Sequence, residues 1–300
     1  MPELCLYSLM APTIFDYLHQ LQNKGVTHVS VDEDAREKLR GFYREAREAK
    51  NAPQNPVATK KQSALAQKIP AAAITPPSVV PVPALKLDPH TGSGSEKIAA
   101  LCRQAATWPA ARQLAGLRDE LVFSAGSAEA RVMLIGEAPG YHEEKKGEPF
   151  VGPAGQKLDQ ILKAMGLSRE EVYLTNLVKF RPAMPNQTTG NRPPTPEEIS
   201  SCAPFIQAEI DIVRPQCLIA LGTTAAQGLL QSSEKVGDLR GKWHEFRGIP
   251  LRVTFHPSYL LHSDEGMSEK RKVWEDMLAV MDLLELPISE KQQSYFLPKK

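Results

Sequence analysis

Apolar positions along this chain change their rhythm at about residue 95. Beyond that point, solid apolar runs alternate with stretches in which apolar residues recur every three or four positions. The runs 132–135 (VMLI), 172–176 (VYLTN), 217–222 (CLIALG) and 251–255 (LRVTF) are short and rich in Val, Ile and Leu. Such runs predict strands buried on both faces, because a strand with one wet face alternates apolar with polar. Between them, Leu158, Ile161, Leu162 and Met165 mark one face of a helix. Residues 195–213 predict another. It opens on a capping box in which Thr195 caps, Pro196 occupies the first turn and Glu198 reaches back. Its apolar face is Ile199, Cys202, Ile206, Ile210 and Val213. A short helix over 223–230 and a last one from about 269 to 284 complete the series. Strand–helix alternation predicts an α/β fold: a central, mainly parallel four-stranded sheet with helices on both faces.

Upstream the pattern differs. Ile14, Tyr17, Leu18 and Leu21 keep helical spacing, and 32–49 carries dense charges of both signs, so 1–50 reads as a small helical segment. Residues 51–95 hold eight prolines and no period. They cannot bury enough apolar surface to offset the entropy of ordering, which predicts a disordered linker. The globular domain then runs over 96–287, followed by a tail, 288–300.

Composition narrows function less than pattern does. A net charge of +1 predicts no partner by bulk attraction, so any grip on nucleic acid needs local clusters of Lys and Arg. Four cysteines, Cys5, Cys102, Cys202 and Cys217, are too few and too scattered for a disulfide framework and suit a reducing compartment. No apolar run reaches membrane-spanning length, and the first residues lack the basic and apolar regions of a leader. A cytoplasmic protein is expected.

Three predicted strands end in shaped polar loops: GEAPG (136–140), TNLVKFRP (175–182) and FHPSYLL (255–261). In open parallel sheets, ligands sit beyond the carboxyl ends of the strands, so these loops point to one site. A phosphate loop is excluded: GEAPG has neither nucleotide-binding glycine pattern, Pro139 removes a donor and Glu137 repels. His142, Glu143 and Glu144, with the scattered His244, His256 and His262, lack metal-ligand spacing. No nucleophile elbow accompanies His256 and Ser258. What remains is a carboxylate (Glu137), an aromatic plate (Phe150), an amide (Asn176) and an imidazole (His256). An amide both donates and accepts, so it can read a pyrimidine edge. A ring stacks on a base, and an imidazole donates to an oxygen gaining charge. A carboxylate orients water or stabilises a sugar cation. Singly, Phe150 reads as core and Asn176 as a cap; the set of four on strand-end loops points to chemistry.

In order along the chain, GEAPG, GEPFVGPAG, VYLTNLVKFRP, NRPPTPEEISSC, RGKWHEFRGI and FHPSYLL resemble the motifs of family 4 uracil-DNA glycosylases, from about Val132 to the last helix. The resemblance implies a three-layer α/β/α sandwich. It implies a monofunctional DNA-repair enzyme that flips uracil out of DNA and hydrolyses its N-glycosidic bond, leaving an abasic site. By that resemblance Phe150 stacks on the flipped uracil and Asn176 bonds its edge. His256 binds a uracil carbonyl and stabilises the departing anion, and Glu137 stands beside the reacting sugar. Glu143 bars the methyl group of thymine, while Gly136, Ala138 and Ser258 complete the uracil pocket. Pro257, Tyr259 and Leu260 belong to the loop that presses into DNA. Lys179, Arg181, Arg192, Arg240 and Lys242 are candidate phosphate contacts. Such an enzyme is expected in the cytoplasm, on the nucleoid.

The chain departs from the family where the resemblance implies a 4Fe–4S cluster. Phe180 stands in KFRP where the family has a cysteine, and LCRQA supplies Cys102 but has Ala105 in place of a second. Cys202 matches. Cys102 and Cys202 alone cannot hold a cubane, so no metal and no cofactor are expected. The 183–190 insertion (AMPNQTTG) has no histidine and no basic run, which disfavours the covalent trapping of a related subgroup. Two other readings of the same residues stay open. One is a uracil- or single-strand-binding protein without turnover; the other is a glycosylase with a wider choice of deaminated bases. In the tail, Gln292-Gln293-Ser294-Tyr295-Phe296 resembles the peptide by which bacterial replication proteins bind the sliding clamp. The clamp is thus a candidate partner beside uracil-containing DNA, double- or single-stranded.

Overall fold

The computed structural model describes residues 92–261 and 266–297. The helices expected within 12–49, most of the expected linker and His262 lie outside the described residues. The first described helix starts before the expected linker boundary. α1 (Gly94–Ala106) opens on Ser93, whose Oγ accepts from Glu96 N (3.3 Å) while the Glu96 carboxylate accepts from Ser93 N (2.8 Å). Part of the polar GSGSE stretch is therefore a helix start, not linker.

α2 (Pro109–Arg112), β1 (Leu117–Leu121) and β2 (Ser124–Gly126) lead into β3 (Val132–Gly136). α3 (Tyr141–Lys146) and α4 (Pro153–Met165) carry the chain to β4 (Tyr173–Asn176) and β5 (Phe180–Pro182). α5 (Pro196–Val213) precedes β6 (Cys217–Leu221). α6 (Thr223–Leu230) and α7 (Val236–Leu239) precede the β7 (Trp243–Phe246)–β8 (Ile249–Thr254) hairpin, and α8 (Met267–Leu283) and α9 (Glu290–Gln293) follow. The expected capping box of α5 is present: Glu198 N donates to Thr195 Oγ1 (3.2 Å) and Thr195 N to Glu198 Oε2 (2.8 Å).

The four expected strands are β4, β3, β6 and β8, side by side and parallel. Two antiparallel strands extend this core, β2 on β4 and β7 on β8, so the sheet has six strands in the order β2-β4-β3-β6-β8-β7. Neither addition has a solid apolar run. Ser124–Gly126 is three small residues, and β7 alternates exposed with half-buried positions. A separate antiparallel ribbon joins β1 to β5.

All residues of β3 and β6 are buried, as strands covered on both faces require. Met133 and Ile135 pack with residues of α1, α2, α5 and α6, whereas Val132 and Leu134 pack with α4 and α8. These two cores make the three layers. Each fully buried Leu, Ile, Val or Met contributes about 1.5–3 kcal/mol.

Residues 292–296 are seated on the second core. Gln292 Nε2 donates to Ala164 O (2.8 Å), and Trp274 Nε1 donates to Gln292 O (2.6 Å). Arg271 donates to the carbonyls of Gln293 (2.8 Å) and Tyr295 (2.9 Å). The rings of Tyr295 and Trp274 lie 5.3 Å apart, and Tyr295 and Phe296 pack against the α4–α8 core. The tail is thus held by its own domain up to Phe296, because its aromatic rings leave water for a core within reach.

Candidate active site

The strand ends meet around a cavity of about 420 Å³. β3 ends at Gly136, in register with Asn176 at the end of β4; Gly222 follows β6 and His256 follows β8. A Cβ on Gly136 would overlap Asn176 Oδ1 and lie 2.6 Å from Phe150 Cζ. Glycine here lets the amide and the ring close over the strand end. Gly222, with φ +91°, plays the same part for His256, whose Cβ lies 3.0 Å from where a Gly222 Cβ would be.

Phe150 is buried with φ +56°, a region that costs a non-glycine residue about 1–3 kcal/mol. Its surroundings hold that strain in place. Arg169 donates to the carbonyls of Phe150 (2.9 Å) and Pro149 (2.7 Å). The Glu143 carboxylate accepts from Val151 N (3.0 Å), Gly152 N (2.8 Å) and Gly140 N (3.2 Å). Gly155 leaves room for the turn, since a Cβ there would overlap the Phe150 carbonyl. The Gly- and Pro-rich loop is therefore a clamp that stands Phe150 at the cavity. Its ring centroid is 6.2 Å from that of His256, with the planes 33° apart.

Burial pushes His256 down to about 4, against the opposing pull of Glu143, so the ring is neutral at neutral pH. Ser258 N donates to Nδ1 (3.3 Å), and Ser258 Oγ lies 2.8 Å from the same atom. A nitrogen that accepts from a backbone amide carries no proton, so the proton sits on Nε2. The ring thus offers the cavity an N–H without a positive charge. Followed by its Cε1 proton resonance, His256 should titrate near pH 4 and remain unchanged through its ordinary pKa of about 6.5. The unfolded chain binds this proton more tightly than the folded one. Stability from the neutral ring is therefore complete above about 6.5 and falls as the pH drops towards 4. His256→Gln should flatten that acid limb of the unfolding curve.

Asn176 is buried and Glu137 half-buried; among the described residues, neither side chain has a hydrogen bond to protein. Both line the cavity. A buried amide with no protein partner is available to a ligand.

The uracil DNA glycosylase superfamily profile matches residues 123–278, which hold the six-stranded sheet and this cavity. The chain belongs to that superfamily. Its relatives place it in the type-4 branch. A type-4 uracil-DNA glycosylase of Thermotoga maritima is 40% identical over 162 residues, covering 53% of this chain and 81% of that protein. That of Archaeoglobus fulgidus is 35% identical over 170 residues, covering 53% and 82%. A type-5 uracil-DNA glycosylase of Thermus thermophilus is 34% identical over 137 residues, covering 41% and 58%.

Gly136, Glu137, Ala138, Glu143, Phe150, Asn176, Ser258 and His256, expected at the site of a superfamily member, are brought together at the cavity. The expected phosphate contacts are mostly not surface cations. Lys179 is 0% exposed, with Nζ 2.5 Å from both Glu209 Oε2 and Thr175 Oγ1. Arg181 is 1% exposed and bound to Glu144 (2.9 Å). Arg192 grips both Glu198 oxygens (2.6 and 2.8 Å), and Arg240 pairs with Asp276 (3.0 Å). Their acidic partners are 6–37 residues away and engage these cations; Arg192 remains half-buried on the cavity wall, and of the five Lys242 is the exposed one. In the 257–261 loop, Pro257 and Leu260 are buried, while Tyr259 and Leu261 face solvent. The sequence reading missed Asn191, Thr223 and Thr224 on the cavity wall. Thr223 and Thr224 directly follow the strand-end glycine Gly222, which was the available signal.

The cluster that the resemblance implies for this branch does not suit the residues present. Phe180 and Ala105 are buried, with the Phe180 ring 4.7 Å from the Arg112 guanidinium carbon. Trp108 meets Phe205 edge-on at 5.2 Å, and Phe123 meets Phe205 at 6.0 Å. Burial raises the thiols of Cys102 and Cys202, which disfavours the thiolates that iron needs. Among the described residues, no three or more His, Cys, Asp or Glu are grouped to hold a metal ion. No described helix is long and apolar enough to cross a membrane.

Proposed function

We propose that this chain is a monofunctional uracil-DNA glycosylase that takes an extruded uracil into the 420 Å³ cavity and hydrolyses its bond to deoxyribose. The observation that carries this reading is the pairing of the unpartnered Asn176 amide with neutral His256 under the clamped Phe150 ring. Extrusion costs a few kcal/mol and is repaid by stacking on Phe150 and bonding to Asn176. As the C1′–N1 bond breaks, its electron pair moves onto uracil. The His256 Nε2–H donates to the carbonyl oxygen that gains charge. Glu137 places negative charge beside the sugar cation, and water bonds to C1′ while its proton leaves with uracil. Glu143, its oxygens engaged by backbone amides, forms the wall that excludes the thymine methyl. Lys242, Tyr259 and Leu261 take over the DNA contacts from the inward-facing residues, with the two apolar side chains entering the space that the base leaves.

Incubation with U:G, U:A, single-stranded uracil and hypoxanthine DNA, scored for abasic sites, tests the proposal. Uracil-dependent abasic sites support it, and tight binding without any of them sinks it. We further propose that the enzyme works without an iron–sulfur cluster, on the strength of Phe180 and Ala105 filling the space. Purified protein should be colourless and active; stoichiometric iron and sulfide in anaerobically prepared protein would contradict this. Sliding-clamp binding through Gln292–Phe296 requires those residues to leave their seat on α4 and α8. Comparing clamp binding by the full chain and by a chain ending at Glu290 tests for that release.

A further inference from the structure

Arg181, in β5, is buried, and four hydrogen bonds engage its guanidinium. Nε donates to Asn191 Oδ1 (3.0 Å), and Nη1 donates to Glu144 Oε2 in α3 (2.9 Å). Nη2 donates to the carbonyls of Thr188 (3.0 Å) and Gly190 (2.6 Å). The Tyr141 ring covers the guanidinium, its centroid 5.4 Å from Cζ. One side chain thus ties the start of α3 to the inserted loop, and Gln187 Nε2 braces that loop on the carbonyls of Pro182 and Gly190 (both 3.0 Å).

The consequence lies in Asn191. A carboxamide has one accepting end and one donating end, and a guanidinium has only donors. Arg181 can therefore bind only Oδ1, which turns Nδ2 the other way. There, a Cβ on Gly140 would lie 2.9 Å from Asn191 Nδ2, on the cavity wall. We propose that Arg181 is a positioning residue. It fixes the Asn191 amide so that a hydrogen-bond donor, not an acceptor, faces the cavity beside Gly140 and meets an oxygen of the extruded nucleotide. The inserted loop is the frame that carries this donor. The part played by the nucleotide rests on the glycosylase reading; the orientation of the amide does not.

Two variants separate the parts. Asn191→Asp keeps the shape and the oxygen that Arg181 binds but replaces the donor by an acceptor. Arg181→Lys keeps a positive charge near Glu144 but loses the fork and its Nε. Each should lower the single-turnover rate of uracil release about tenfold or more; Asn191→Asp should leave the melting temperature little changed, whereas Arg181→Lys gives up buried hydrogen bonds and should lower it. Because both act through one amide, the double variant should be no slower than the slower single variant within about threefold. Asn191→Asp at the wild-type rate overturns the proposal, as do losses that multiply in the double variant. A second readout is independent of turnover. The Asn191 side-chain amide resonances, assigned by their loss in Asn191→Asp, should be sharp in the wild type and broadened or shifted in Arg181→Lys. If the wild type releases no uracil, the glycosylase reading fails and the spectrum alone decides: amide resonances unmoved by Arg181→Lys overturn the positioning. If Arg181→Lys does not fold, the Asn191→Asp rate, or its binding of uracil-containing DNA where there is no turnover, decides instead.

Discussion

His256→Ala slows uracil release by two decades or more while the protein stays folded. The ring is half-buried, neutral and held with Nε2–H as its donor by two contacts from Ser258 to Nδ1. A preorganised donor to a developing anion is worth about 2.7–4 kcal/mol of barrier, which is roughly two to three decades. Alanine removes that donor and leaves Phe150, Asn176 and Glu137 in place, so binding of uracil-containing DNA should change much less than the chemical step. Single-turnover rates with matched melting curves measure this. A folded His256→Ala protein within a few-fold of wild type would falsify the assignment. Asn176→Asp adds a test of base choice, since it exchanges a donor for an acceptor or hydroxyl and should raise release of cytosine relative to uracil.

Lys179→Ala lowers stability by roughly 3–5 kcal/mol, the usual cost of leaving one partner of a buried ion pair alone. Lys179 and Glu209 are both 0% exposed. Besides Lys179, Glu209 accepts from Tyr173 Oη (3.0 Å) and Thr175 Oγ1 (2.9 Å). Complete burial pushes the Glu209 carboxyl up and Lys179 pulls it back, so removing the ammonium leaves an uncompensated acid between β4 and α5. For a domain of this size the melting temperature should fall by about 10 °C. Adding Glu209→Leu should recover much of the loss, because an apolar pair needs no charge compensation. Urea unfolding of the single and double variants gives the values. Unchanged stability combined with weakened DNA binding would return Lys179 to the phosphates.

That contrast marks how far the residues alone could be read. The runs at 132–135, 172–176, 217–222 and 251–255 are the four parallel strands, and Thr195 caps α5. β2 and β7 escaped notice because an edge strand needs only one buried face, and three small residues leave no pattern. The cysteine departures were plain from the residues, but the packing of Trp108, Phe180 and Phe205 in one core depends on how α2, β5 and α5 meet.

Charged residues divided in the same way. From spacing alone, Lys179, Arg181 and Lys242 look alike, and only the fold sets Glu209 and Glu144 against the first two. Nothing nearby in sequence offers Tyr295 a core, whereas α8 brings Trp274 to it. The sequence by itself determined the strands, the order of the motifs and the four groups at the strand ends, since those follow from local periodicity and residue chemistry. Tertiary structure decided which cations are buried in ion pairs, the protonation of His256 and the orientation of Asn191. Burial, ion pairing and the direction of a hydrogen bond arise between residues distant in the chain, and no local pattern records them.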